Sequence, residues 1–106
     1  MRDRPHRLLI YGLDPLLLET RHLILKSGGY NADIVGTEQR FAGSLGRSSP
    51  YKLAIICYTL SDDERAAAHV IADRAGVPVW QLESLVSPPT FLAEVSRCLA
   101  DFAGVR

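Results

Sequence analysis

Four short apolar runs, each followed by signals for a helix, divide this chain, and that alternation limits the folds open to it. Leu8-Leu9-Ile10-Tyr11, closed by Gly12, reads as a buried strand. Asp14 can accept hydrogen bonds from the free N–H groups of a helix start, and Pro15 suits the first helical position. A helix is expected from there to about Lys26, with Leu16, Leu17 and Leu18 recurring as Leu23, Ile24 and Leu25 to give one wide apolar face. Gly28-Gly29 stops it. Tyr30 to Val35 is a weaker strand in which Asn31 and Asp33 alternate with Ala32 and Ile34, as on an edge with one wet side. Thr37 caps a short helix to about Leu45, with Phe41, Ala42 and Leu45 facing inward and Gly43 and Gly46 weakening it. Residues 46–50 form a loop by composition.

Leu53 to Tyr58 is continuously apolar up to Cys57, which fits a central strand covered on both faces. Ser61 and Glu64 have capping-box spacing and open a helix that reaches Ala75 and ends at Gly76. Val77 to Leu82 is the fourth strand. Pro78 lacks an N–H donor, which places this strand at an edge. Ser87-Pro88-Pro89 opens the last helix, where Leu92, Val95, Leu99 and Phe102 form an apolar stripe widened by Phe91 and Cys98. The order is β-α four times over. Such alternation implies parallel strands, right-handed crossovers and helices on both faces of one sheet.

Length and composition agree with this. The chain has 106 residues, enough for one domain with one core, and is 47% hydrophobic and 23% charged. Residues 1–6 read as a solvated terminal tail despite Arg2, Arg4 and His6. Twelve basic and twelve acidic residues cancel. A neutral chain has no general attraction for nucleic acid or acidic membranes, so neither is expected as a partner. No apolar stretch has the length to span a bilayer, and no signal-type apolar core follows Met1-Arg2-Asp3-Arg4-Pro5. The expected location is the cytoplasm. Two cysteines, Cys57 and Cys98, are too few for a disulfide framework and are expected to be reduced.

The segment Arg7 to Tyr30, with its strand, turn, Asp14-Pro15-Leu16-Leu17-Leu18-Glu19 and Gly28-Gly29-Tyr30, resembles the opening of a bacterial response-regulator receiver domain. The third strand, its capped helix and Gly76-Val77-Pro78-Val79 match in order and spacing, so the resemblance covers Arg7 to Leu82, with the last helix as a further match. It implies a flavodoxin-like fold and a place in two-component or phosphorelay signal transduction. It also implies a site: acidic residues that bind Mg²⁺ after the first strand, a phosphorylated Asp ending the third, a Thr or Ser after the fourth, and a Lys before the last helix.

This chain departs at each position. The acidic pair falls on Gly12 and Leu13, with Asp14 beside them and explained equally by helix capping. The phosphoacceptor falls on Cys57, the Thr or Ser on Glu83 or Ser84, and the Lys-Pro step on Ser87-Pro88. Mg²⁺ needs hard oxygen ligands near octahedral geometry. Phosphoryl transfer needs charge neutralisation and a nucleophile. The expectation is therefore a pseudo-receiver that takes no aspartyl phosphate, holds no cofactor, is not an enzyme, and acts by binding other signalling proteins.

The chain is also short. About four residues separate Leu82 from Ser87-Pro88, where the family has a fourth helix and a fifth strand. The expected result is a four-stranded parallel sheet of order 2-1-3-4. Its fourth strand would be an uncovered edge carrying Val77, Val79, Trp80 and Leu82, a candidate surface for a partner or for homodimerisation. Two other functions remain open at this point: a conventional phosphorelay receiver with displaced site residues, and a small thiol- or carboxylate-dependent enzyme on a flavodoxin-like sheet. Against the enzyme, Asp62, Asp63 and Glu64 oppose a thiolate at Cys57, and Asp14 with Glu83 reads as a cap and a solvated loop residue. His22 and His69 are expected at the surface or its boundary. Neither Gly28-Gly29 nor the segment from Gly43 to Gly46 follows a strand and opens a helix as a phosphate cradle must.

Overall fold

The computed structural model describes residues 7–46, 50–84 and 86–104, the last four of these by their backbone. The N-terminal tail, residues 47–49 of the expected loop, and the Phe102 side chain lie outside the described residues. Strand β1 (Arg7–Tyr11) leads into α1 (Pro15–Ser27), then β2 (Asn31–Val35), α2 (Glu38–Ser44), β3 (Leu53–Ile56), α3 (Asp62–Ala75), β4 (Val79–Gln81) and α4 (Pro88–Gly104). The start signals act as the sequence indicates. Asp14 accepts from Leu16 N and Leu17 N, Thr37 accepts from Arg40 N, and Ser61 and Glu64 close a reciprocal capping box. Gly76 ends α3 in the left-handed conformation, at φ 74°, where a residue with a Cβ would be strained.

The strands pair in parallel in the order β2-β1-β3-β4. Side chains alternate across this sheet, so it feeds two cores. Leu8, Ile10, Leu53, Ile55 and Cys57 face α1 and α4, where they meet Leu18, Leu25, Phe91 and Val95. Leu9, Tyr11, Ala54 and Ile56 face α2 and α3, where they meet Phe41, Leu45, Ala68 and Ala72. The central strands are buried apart from Arg7 at the start of β1, as continuous apolar runs require. No described helix is long and apolar enough to cross a membrane.

Three expectations change. First, β4 is shorter than Val77–Leu82. The Val77 N–H is taken by Ala72 O in the α3 cap, and Pro78 has no N–H to give. Second, the candidate edge side chains are mostly interior. Val77 and Leu82 are buried, Val79 packs on the α2–α3 side, and the Trp80 ring lies 5.6 Å from Phe91. What β4 leaves open is backbone. Pro78 O accepts from Ala54 N and Leu82 N donates to Ile56 O, so by strand alternation the peptide groups of Val79 and Gln81 point away from β3. Third, the wide face of α1 is narrower than its leucines suggest. Leu16 and Leu23 are exposed, at 73% and 57%, and Ala42 on α2 is exposed as well. Three consecutive leucines span more than half the turn of a helix, so they cannot all face one sheet. The buried positions of α1 are Leu18, Arg21 and Leu25.

Candidate functional site

The carboxyl ends of β1 and β3 bring Gly12 and Cys57 together. Cys57 N donates to Tyr11 O at 2.9 Å, which carries the ladder one residue past β3. A Cβ built on Gly12 would lie 3.0 Å from Cys57 Cβ and 3.2 Å from both Cys57 Sγ and Thr59 Oγ1. The position that the resemblance aligns with an acidic residue is therefore packed against the one that it aligns with the phosphoacceptor. Leu13, nearly half exposed, is tied to the same loop through its N–H to Thr59 Oγ1 at 3.0 Å.

The remaining predicted positions do not join them in a chemical cluster. Asp14 is exposed and uses its carboxylate as the α1 cap. Glu83 is exposed and accepts from Gln81 Nε2 at 3.5 Å, while Gln81 Oε1 meets His69 Nε2 at 2.8 Å. Ser84 is exposed. Ser87 precedes α4, where its hydroxyl accepts from Thr90 N and donates to Thr90 Oγ1.

What the sequence reading passed over is Arg21. It is the buried charged residue of α1, 5% exposed, and its Nη1 donates to Cys57 Sγ at 3.3 Å. Its guanidinium carbon stands 5.5 Å from the centre of the Tyr58 ring. Its Nη2 is buried with no hydrogen-bond partner. Burial pushes the Cys57 thiol up from its ordinary range, and the charge and hydrogen bond of Arg21 pull it part of the way back. A signal for this residue was present: Arg21 lies three residues after Leu18 and four before Leu25, on the same helix face.

A divalent metal does not fit this pocket. Gly12 has no side chain, Leu13 is apolar, Cys57 offers sulfur in place of a hard oxygen, and a buried guanidinium already supplies positive charge. Among the described residues, no group of three or more His, Cys, Asp and Glu side chains is placed to hold a metal ion.

With this geometry, similarity to solved structures becomes informative. A CheY-like response regulator receiver domain protein from Methanospirillum hungatei superposes with a TM-score of 0.70 at 20% identity, covering 92% of this chain and 96% of that one. The chain has the receiver-domain fold. A sensor protein from Polaromonas gives 0.72 at 21% identity, over 93% of this chain and 98% of its own. A de novo designed Rossmann 2x2 fold protein gives 0.63 at 18% identity, over 92% and 90%. No protein-family model and no curated protein matches the sequence. The designed protein is instructive here, because a chain designed de novo has a fold similar to this one. The receiver fold is thus carried by the apolar pattern and the caps, while the pocket at its strand ends has a different chemistry in this chain.

Proposed function

We propose that this chain is a receiver-like signalling domain, a pseudo-receiver of a bacterial two-component or related pathway. It takes no phosphate on aspartate and acts by binding other proteins. The observation that carries the reading is the Arg21–Cys57 pair at the end of β3. A neutral thiol beside a guanidinium is neither a carboxylate acceptor nor a metal ligand set, so phosphoryl transfer lacks both its nucleophile and its cation. The test is incubation with acetyl phosphate, or with beryllofluoride, in the presence and absence of Mg²⁺. Unchanged intact mass and unchanged Trp80 fluorescence are expected. A metal-dependent adduct would establish a conventional phosphorelay receiver with displaced site residues.

Binding is the function left to such a domain, and the open β4 backbone is the proposed contact, either for another signalling protein or for a second copy. Because Trp80 is packed on Phe91, replacing it would test the core and not the edge. Gln81→Pro removes an outward N–H while leaving the β3–β4 ladder intact. Light scattering of parent and variant measures self-association, and a monomeric parent would refute the homodimer.

A further inference from the structure

The edge of the sheet opposite β4 is also open. β2 ends the strand order and pairs with β1 on one side; among the described residues no strand pairs with the other. Val35 O accepts from Gly12 N, so by strand alternation the N–H and C=O groups of Ala32 and Ile34 point outward. Helix α1 stands beside this edge. Pro15, Glu19, His22 and Lys26, spaced four, three and four residues apart, form one row down the helix. That row and the strand edge flank two clefts. One, of about 300 Å³, lies along Asn31, Ala32 and Asp33, and the other, of about 550 Å³, along Ile34, Val35 and Gly36. His22 lines both, so the clefts adjoin and make one groove along β2.

The clefts differ in chemistry. The smaller is polar and cationic. Asp33 is already spent on Arg7 Nη2 at 3.2 Å and on the Tyr51 hydroxyl at 2.6 Å, while Lys26 makes no ion pair among the described residues. The larger is mainly apolar. Leu18 and Val35 are buried beside it, and Leu13 and Ile34 leave apolar surface exposed in it. We propose that this groove binds an extended peptide segment of a partner protein, which adds to β2 as a fifth strand and carries an apolar and an acidic side chain on one face. Hydrogen bonds to the backbone of Ala32 and Ile34 hold the strand, and the clefts select its side chains. Same-face side chains recur every second residue, about 7 Å apart. An apolar one enters the cleft of Leu13 and Ile34, and an acidic one, an even number of residues away, meets Lys26. Residues 1–6 of this chain, with Arg2 and Arg4 against Asp3, have the wrong charge to be that segment. The contact is separate from the one proposed at β4, and either can stand without the other.

The experiment titrates the isotope-labelled full chain with two synthetic peptides and follows its amides by NMR. In the first peptide, isoleucine, isoleucine, glutamate and glutamate occupy alternate positions between threonines. The second has the reverse order, so that both strand directions are covered. One of them should shift the amides of Leu13, Ala32 and Ile34, and should slow hydrogen exchange at Ala32 and Ile34 but not at Val79 and Gln81. Lys26→Met should weaken that peptide about threefold, as for an exposed ion pair, and lysines in place of its glutamates should weaken it further. Ile34→Pro removes an outward N–H, spares the β1–β2 ladder, and should weaken binding about fivefold. The exchange measurement on the parent needs no variant to fold. Three results each overturn the proposal: no binding of either peptide at about 1 mM, no slowing of exchange at Ala32 and Ile34 in the complex, and a lysine peptide bound as tightly as its glutamate counterpart.

Discussion

Arg21→Met should make the reduced protein more stable, an unusual expectation for a buried residue with a hydrogen bond. Taking a guanidinium out of water costs several kcal/mol. Against that cost, Arg21 has one donor on a thiol at 3.3 Å and a Tyr58 face at 5.5 Å. A desolvated cation–π contact returns roughly 2 kcal/mol, and a hydrogen bond about 1 kcal/mol. Nη2 returns nothing. Methionine keeps an unbranched stem between Leu18 and Leu25 and removes the charge. Replacing buried ionic groups by apolar ones is commonly neutral or stabilising by about 1–4 kcal/mol, and the incomplete pairing here places the gain at about 1–3 kcal/mol. For a chain of this size each kcal/mol moves Tm by about 4–8 °C. Urea unfolding at neutral pH with reductant present gives the free energy, and an unchanged m-value would show that the denatured state is unaffected. A loss of more than about 1 kcal/mol would refute the reasoning, because it would mean that the guanidinium is fully compensated in the folded state.

Cys57→Asp reverses the sign of that experiment. It gives Arg21 a carboxylate, so Arg21→Met in the Asp background should cost about 3–5 kcal/mol by stranding a buried anion, and the double-mutant cycle reads the difference. The Asp variant should still gain no mass from acetyl phosphate with Mg²⁺, because Gly12 and Leu13 supply no acidic ligand. Gly12→Ala places a Cβ 3.0 Å from Cys57 Cβ and should destabilise by about 1–3 kcal/mol through overpacking, measured by thermal melts followed by circular dichroism. Burial is the main cause that raises Cys57, Tyr11 and Tyr51 above their ordinary values. Each therefore stays protonated in the folded state while its unfolded counterpart ionises. The stability they contribute is complete below the unfolded values, starts to fall above about 8.5 for the thiol and about 10 for the phenols, and is lost as pH climbs from there through the raised folded values. Urea midpoints against pH should show this decline, with its lower part flattened by Cys57→Ala and its upper part reduced by Tyr11→Phe.

The fold was legible because its signals are local. Asp14, Ser61 and Glu64 cap the helices whose starts they mark, and Gly76 supplies the left-handed turn that releases Val77 toward β4. Continuous runs such as Leu53 to Cys57 have only one home in a two-layered sheet, its centre. The site was legible as a set of positions and not as chemistry. Gly12 and Cys57 meet as the resemblance implies, but Arg21 reaches them from the middle of α1, thirty-six residues away in sequence from its sulfur partner. Counting leucines hid it, because Leu16 and Leu23 mark a face that the sheet never covers. Thr59 was missed for a similar reason: a loop residue shows no periodicity, and its role as acceptor for Leu13 N depends on how two loops meet. The β4 side chains were misplaced because an edge strand is open along its backbone while its side chains still belong to the layers on either face.

These differences bear on how such a domain could carry information. A ligand shifts a conformational equilibrium only by its differential affinity for the two states. Where the positive charge of a pocket arrives with a bound ion, and the negative charge with a transferred phosphoryl group, both can come and go, and the pocket has two charge states to couple to. In this chain the positive charge is part of α1 and is held against Cys57 by a 3.3 Å contact. It cannot dissociate. Burial holds the Cys57 thiol beside it toward its neutral form, so the pocket has a fixed cation and no counter-charge that comes and goes. A receiver fold built this way keeps one charge state in its buried pocket, so under the proposed function any response has to come through the surface and not through the pocket.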